Sequence, residues 1–495
     1  MTILLLLAPI GLPLTAALVY AAAGWRGRTT AWAGVATTAL LALDAVTLAA
    51  TVTHRGPVHT AGGLLRADAL SAWMLLGVAA VALLACWASP AYLTAEHTST
   101  SRARWYGILL HLFIAAMAIA VLGGNLGILW VAIEATTIVT AFLVGHHRSR
   151  TALEAAWKYV VICSAAIAIA FLGLVLLYYA ARHTGLDSEQ ALDWATLTGH
   201  AHKLDPAVTR IAIGLAVIGF GAKAGLIPLH AWLPDAHSQA PAPVSALMSG
   251  VLLPVALYAV LRVKAIADPA LGTGYLRTLL LIMALATLAL AAVLLIGQRD
   301  YKRMLAYSSM EHMGLIALAA AIGTQLAVAA LLLHMAGHGL AKTVAFLGSG
   351  HILHRHTSSQ IVDVRALAAR MPLLAGLFGL AVLALLGFPP AALFASELGI
   401  ARAGASGGLI WATAAAFALV VVAFAAIAAH TGRMLLGPPP VPETIAAEAS
   451  DPPAAFTLTG AMPLIAGLLG VAALGITLGP FADLLHTAAS IVAAS

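Results

Sequence analysis

Phe220-Gly221-Ala222-Lys223-Ala224-Gly225-Leu226-Ile227-Pro228-Leu229-His230-Ala231-Trp232-Leu233-Pro234-Asp235-Ala236-His237 sets a lysine, two prolines, two histidines and an aspartate inside a region that is almost wholly apolar on both sides. A lysine at the centre of a membrane helix costs at least about 2.5 kcal/mol on insertion scales, so it is rarely found there without a polar partner or a wet cavity. Pro228 removes a backbone donor and clashes with the preceding turn, which predicts a break in the helix there. A broken membrane helix with freed carbonyls beside a buried charge is how transporters build ion sites near the bilayer midplane. A plain kinked helix whose lysine snorkels to an interface fits less well, because the residues preceding Lys223 are apolar or small.

The rest of the chain supplies the setting for such a site. Its 495 residues are 62% hydrophobic and only 9% charged, against about 25% charged in soluble domains. Apolar runs long enough to cross about 30 Å of hydrocarbon as helices recur along the whole length, so an all-α integral membrane bundle is expected. Residues 3–23 read as a retained first helix, since Met1 and Thr2 run straight into it without a basic leader. The net charge of +6 and pI near 9.4 come from basic residues scattered singly through loops, which excludes a nucleic-acid surface and reports topology instead. Cys86 and Cys163 sit in apolar runs without metal-ligand spacing, so disulfide, zinc and iron–sulfur readings fail.

Fourteen helices are predicted, in order from helix 1 to helix 14, at about residues 3–23, 30–52, 69–93, 105–122, 125–145, 154–180, 208–232, 241–264, 275–297, 303–322, 326–350, 372–402 with a break, 407–436 and 458–480. The longest connections are the solvated stretch 181–207 and a Pro-rich tether, Pro438 to Pro453. Loops after odd-numbered helices, from Arg26 and Arg28 to Arg433, hold thirteen basic residues against nine after even-numbered ones. The positive-inside rule then puts both termini on the non-cytoplasmic side of the cell (inner) membrane. Helix 7 and helix 12 each pair a proline break with an ionisable residue, the second in Gly387-Phe388-Pro389-Pro390 followed by Glu397. Being five helices apart, the two breaks cross the membrane in opposite senses, which is the mark of an inverted repeat of two five-helix units. The expected organisation is therefore helices 1–3 (residues 1–104), helices 4–8 (105–266), helices 9–13 (275–436), and tether plus helix 14 (437–495).

Other ionisable residues fall inside apolar runs. Glu134 lies mid-helix with no basic residue within ten positions; its partner must come from another helix, Lys223 or Lys158, and such a pair would change charge state on small rearrangements. His334, His338 and Lys342 stand at i, i+4 and i+8 on helix 11, so they line one stripe at about 6 Å per step, a spacing that suits proton hopping through water. Two histidines at i, i+4 also fit a metal pair, but no carboxylate or cysteine lies near them in sequence, and no metal is expected. Glu311 and His312 point about 100° apart, so at most one is expected on the same path. Glu154 and Lys158 form an i, i+4 pair that serves a relay or a plain ion pair equally well.

The runs Lys223 to Pro254, Asp300 to Ser309, His338 to Lys342 and Pro389 to Glu397 together resemble the antiporter-like, proton-conducting membrane subunits of respiratory complex I. His237-Ser238-Gln239-Ala240-Pro241-Ala242-Pro243-Val244-Ser245-Ala246-Leu247 and Glu311-His312-Met313-Gly314 bring the likeness closer to the hydrogenase-4 and formate hydrogenlyase component F branch, over roughly residues 65 to 435. The resemblance implies proton translocation along a buried axis, driven by redox chemistry on a peripheral arm and other membrane subunits, with no cofactor on this chain. Carried over by position, Glu134 matches the glutamate of helix 5, Lys223 the lysine of helix 7, His338 and Lys342 the relay of helix 11, and Glu397 the terminal residue of helix 12. Helix 8 departs: relatives have a histidine or lysine where this chain has Ser249 and Pro254. The link between the halves would then rest on water, His230, His237 or His334, and a hydrated cavity lined by Ser249 and the Gly250 carbonyl is expected. The alternatives are the large subunit of a multisubunit Na⁺/H⁺ antiporter and the membrane subunit of an inorganic-carbon uptake complex.

Overall fold

Short polar side chains mark where apolar runs become helices. Asp68, Asn125, Ser149, Asp205, Asp300, Thr324 and Thr457 each accept a hydrogen bond from a first-turn amide, satisfying donors that a helix start leaves unpaired. The computed structural model describes residues 2–25, 30–438 and 456–493. Arg26, Arg28 and the tether from residue 439 lie outside the described residues.

The chain is a multi-pass membrane protein. Thirteen helices among the described residues are long and apolar enough to span a bilayer, and helix 12 adds the shorter Pro372–Leu385. Several helices outrun their predicted ends: helix 6 covers Arg150–Arg182, helix 8 Ala242–Leu271, helix 10 Tyr301–Ile322 and helix 11 Gln325–His356. Helices 8, 10 and 11 are buried almost throughout and form the core, whereas helices 1, 2, 13 and 14 are peripheral.

Two predicted helices divide. Helix 7 does not continue to 232: Pro206–Lys223 stops at the lysine, and the short helix Trp232–Gln239 resumes after an irregular segment. Gly225, at φ +82°, makes the turn that ends the helix, and the Ala222 carbonyl accepts both the Gly225 amide at 3.1 Å and Trp232 Nε1 at 3.0 Å. In helix 12, Pro372–Leu385 is followed by Gly387 at φ +67° and then by Ala392–Ser406. Helix 8 holds a π-turn over Met248–Leu252 just before Pro254, the expected consequence of a proline that cannot donate to the ladder.

Among the described residues, the elements that escaped the sequence reading include three that shape the packing. A two-strand pairing, Val58–His59 with Arg66–Ala67, lies between helices 2 and 3. Trp194–His200 forms a short helix within the loop after helix 6. Helix 14 ends at Ile476, earlier than expected, and Ala482–Val492 forms a further helix that packs against helices 3 and 11. The first two meet around Asp68, which grips Arg262 of helix 8 through two bonds of 2.6 and 2.7 Å while the guanidinium sits 3.8 Å over the Trp194 ring. Burial alone would raise the Asp68 carboxyl, but Arg262 and the bonds from Ser71 outweigh it and hold it below the usual carboxylate range.

Candidate functional site

Lys223 is fully buried, and two hydroxyls answer its ammonium. Its Nζ donates to Thr137 Oγ1 of helix 5 and to the Tyr159 hydroxyl of helix 6, both at 2.7 Å, and sits 4.6 Å over the Tyr159 ring. Tyr159 shares a further bond with Thr140 at 2.6 Å. The expected Glu134 partnership takes another form. Ser164 Oγ donates to Glu134 Oε1 at 2.8 Å, and Oε2 is buried with no protein partner. Among the described residues Glu134 forms no ion pair, although it lies within electrostatic reach of Lys223. Glu134 and Thr137 share one side of helix 5, where Ser164 of helix 6 takes the carboxylate and Thr137 takes the ammonium.

Lys158 lies off this row. It is 45% exposed and bonded to Glu154 at 2.6 Å and Asp235 at 3.2 Å, while Asp235 also takes Arg303 at 2.9 Å. These four charges line an open polar cavity of about 190 Å³. One residue before the inward-facing Tyr159, Lys158 is turned about 100° to the outside. His230 is half-buried in the break of helix 7, its Nδ1 without a protein partner.

The second half gathers around helix 10. Lys342 Nζ donates to the Leu305 carbonyl at 2.8 Å and to Ser308 Oγ. His334 bonds Ser396 of helix 12 through Nδ1 at 2.9 Å and His312 through Nε2 at 3.1 Å. The His338 ring lies edge-on to His312 at 4.9 Å, with both its nitrogens buried and without a protein partner. Glu311 Oε2 is 3.6 Å from His312 Nε2 and within electrostatic reach of Lys342 and Glu397. Both Glu311 and His312 therefore belong to the cluster, where sequence spacing allowed one. Helix 10 is surrounded by protein, so residues 100° apart both face the interior. Glu397 lies against the break of helix 12: a Cβ at Gly387 would meet its carboxylate at 2.5 Å. His312, His334 and Glu397 also bring ligand atoms within 4.8 Å of one another, a set that could hold a metal ion, though the His312–His334 bond already uses one nitrogen of each ring.

The bridge across helix 8 differs from the expectation. Gly250 and Gly339 pack backbone to backbone, since a Cβ on either would meet the other's carbonyl oxygen at 2.9 or 2.6 Å. The cleft of about 300 Å³ that both glycines line is walled by apolar side chains such as Trp73, Leu76 and Leu474. Ser249 turns instead to helix 10, where its hydroxyl bonds Ser309 at 2.8 Å, next to the Ser308 that serves Lys342. His237 is buried, its ring stacked on Phe346 at 5.0 Å and both nitrogens without a protein partner. Thr137, Ser308, Ser309 and Ser396 were invisible in the sequence because a Ser or Thr hydroxyl in an apolar helix ordinarily just bonds its own backbone, and Tyr159 because a tyrosine in an apolar run reads as ordinary packing.

A family profile described as NADH:quinone oxidoreductase/Mrp antiporter, TM, matches residues 123–423. The hydrogenase-4 component F homolog of Methylacidiphilum infernorum (isolate V4) is 41% identical over 304 residues, 61% of this chain and 63% of that relative. The match thus spans less than two thirds of the curated protein. Over 99% of this chain and 97% of the other, the fold resembles a chain in the membrane-bound sulfane sulfur reductase, an archaeal respiratory membrane complex, with TM-score 0.84 and 28% identity. It also resembles a chain of the Mrp complex from Dietzia sp. DQ12-45-1b, with TM-score 0.87, 23% identity and the same coverage.

Proposed function

Because this chain belongs to the NADH:quinone oxidoreductase/Mrp antiporter membrane family, we propose that it moves protons through the cell membrane as a subunit of a redox-driven complex of hydrogenase-4 or NADH-quinone oxidoreductase type. One observation carries the reading: two fully buried lysines, Lys223 and Lys342, each held by hydroxyls or a carbonyl instead of a carboxylate. A buried ion pair would lock a lysine in its charged form, whereas neutral oxygen partners leave it able to release a proton and take it back. Beside Lys342, the His312–His334–Ser396 chain supplies groups that both donate and accept. Glu397, at the break of helix 12, exchanges the proton with one face, and Glu134 senses the charge on Lys223 from the other end of the row.

The two breaks support an inverted repeat of helices 4–8 and 9–13, and the excess of basic residues in loops after odd-numbered helices supports both termini on the non-cytoplasmic side. Partners are further membrane subunits and a peripheral arm that performs the redox chemistry. The test is redox-driven proton movement in sealed vesicles, followed with a pH-sensitive dye alongside native gels. Lys223→Ala is expected to abolish movement while the complex assembles, and Lys223→Arg should fail too, because a guanidinium does not give up its proton. Normal movement in an assembled Lys223→Ala complex would refute the reading. Strict dependence on Na⁺ would turn it toward the antiporter alternative.

A further inference from the structure

Four separate crossings deliver titratable side chains to one end of the bundle. Glu96 follows the last turn of helix 3, His147 closes helix 5, His354 lies in the last turn of helix 11, and Lys302 opens helix 10. His147 Nε2 is 3.7 Å and His354 Nε2 3.5 Å from the same Glu96 Oε1, to which the Tyr92 hydroxyl also donates. Exposure falls from 36% at His147 to 20% at His354 and 14% at Glu96, so the group leads from water inward. Burial alone would raise the Glu96 carboxyl, but His354 at 3.5 Å, charge on His147 and bonding from Tyr92 outweigh it and hold it below its ordinary value. A carboxylate flanked by two imidazoles, one of them partly exposed, offers donor and acceptor atoms along which a proton can pass from solution inward.

Behind this group lies a way in. Lys302 is buried within electrostatic reach of Glu96, and its Nζ donates to the Ala240 carbonyl at 3.0 Å. Ala240 closes the short helix Trp232–Gln239, in which His237 lies about one turn earlier. His237 in turn is within electrostatic reach of both Lys302 and Lys342. Its ring stacks on Phe346, one turn beyond Lys342 on helix 11, and its nitrogens, without a protein partner, are free to relay.

We propose that Glu96, His147 and His354 form the port through which protons enter the buried row, passing by Lys302 and His237 to Lys342. The port rests on the reading that Lys342 belongs to a proton path. Each member takes one proton from the outer side, releases one inward, and returns to its starting state. The port opens among the loops after odd-numbered helices, on the face with more basic residues.

The experiment uses the assembled complex in sealed vesicles with that face outward. Glu96→Gln combined with His354→Gln is expected to slow redox-driven proton movement by on the order of tenfold or more, as removing acid–base groups from a transfer path does. Added imidazole should restore much of the rate in His147→Ala, whose side chain is 36% exposed, and none in Lys342→Ala, which is buried. Zn²⁺, which imidazole and carboxylate ligate, should block entry from this face and lose its effect in the His147→Gln, His354→Gln variant. Full-rate movement in an assembled Glu96→Gln, His354→Gln complex overturns the port. If Lys342→Ala is then inactive, the proposed function stands without this port; if Lys342→Ala also runs at full rate, both fall. Should the double variant not assemble, single His354→Gln and the Zn²⁺ block decide, and indifference to Zn²⁺ overturns the proposal.

Discussion

At Lys223 the ammonium depends on two hydroxyls, so removing one has a defined cost. Tyr159→Phe keeps the ring beneath Nζ but leaves a buried cation one bond short, a loss of about 1–3 kcal/mol. We expect a lower unfolding temperature in detergent and clearly slowed proton movement. Glu134→Gln should behave differently, because the Gln carbonyl still accepts from Ser164: stability within about 0.5 kcal/mol of the parent with slowed movement would separate an electrostatic role from a packing one. A Glu134→Gln protein that moves protons at the parent rate would return that residue to a structural part. The ionisable members of this row were legible because a charge in an apolar run is conspicuous in one dimension. Their partners were not, since pairing is decided by helix rotation and neighbour identity. Hence Glu134 turns to Ser164 rather than Lys223, and Lys158, adjacent in sequence to Tyr159, ends at the surface.

Among the elements, helix 8 is tied to the start of helix 3 by Arg262 and Asp68. Removing one partner of a buried pair leaves an uncompensated charge, so Arg262→Ala should cost about 3–5 kcal/mol. Because the folded Asp68 carboxyl ionises more readily than the unfolded one, its contribution is complete above the unfolded pKa of about 4 and is lost as pH falls through the lower folded value. Thermal unfolding at neutral pH and under progressively acid conditions checks both statements: the parent and Arg262→Ala should converge as acid removes the contribution. A difference that persists unchanged in acid would assign the cost to packing against Trp194. Helix positions were legible from apolar runs and caps, but helix 7 stopping at Lys223 was not. Pro228 announces a break nearby, and Gly225 decides where the chain turns. Ala482–Val492 escaped because eleven residues are too few to register as a crossing.

For the whole molecule, the sidedness inferred from basic residues can be read chemically. Cys86 and Cys163 are both buried, so an impermeant maleimide should find little to label in the parent. Ser188→Cys, exposed in the loop after helix 6, is expected to label from outside intact cells. Val362→Cys, exposed after helix 11, should label only once the membrane is opened, and the reverse pattern would invert the topology. Helix 10 has a consequence of a different kind. Of its residues only Arg303 escapes burial, and it carries Ser308, Ser309, Glu311 and His312 through the centre of the bundle. A helix with a lipid-facing side can drift in sequence on that side every three to four residues, as helix 6 is free to do. Helix 10 has no such side, so its history of permitted change should show no helical rhythm at all, and a damaging mutation there has few neighbouring positions at which a second change could compensate for it.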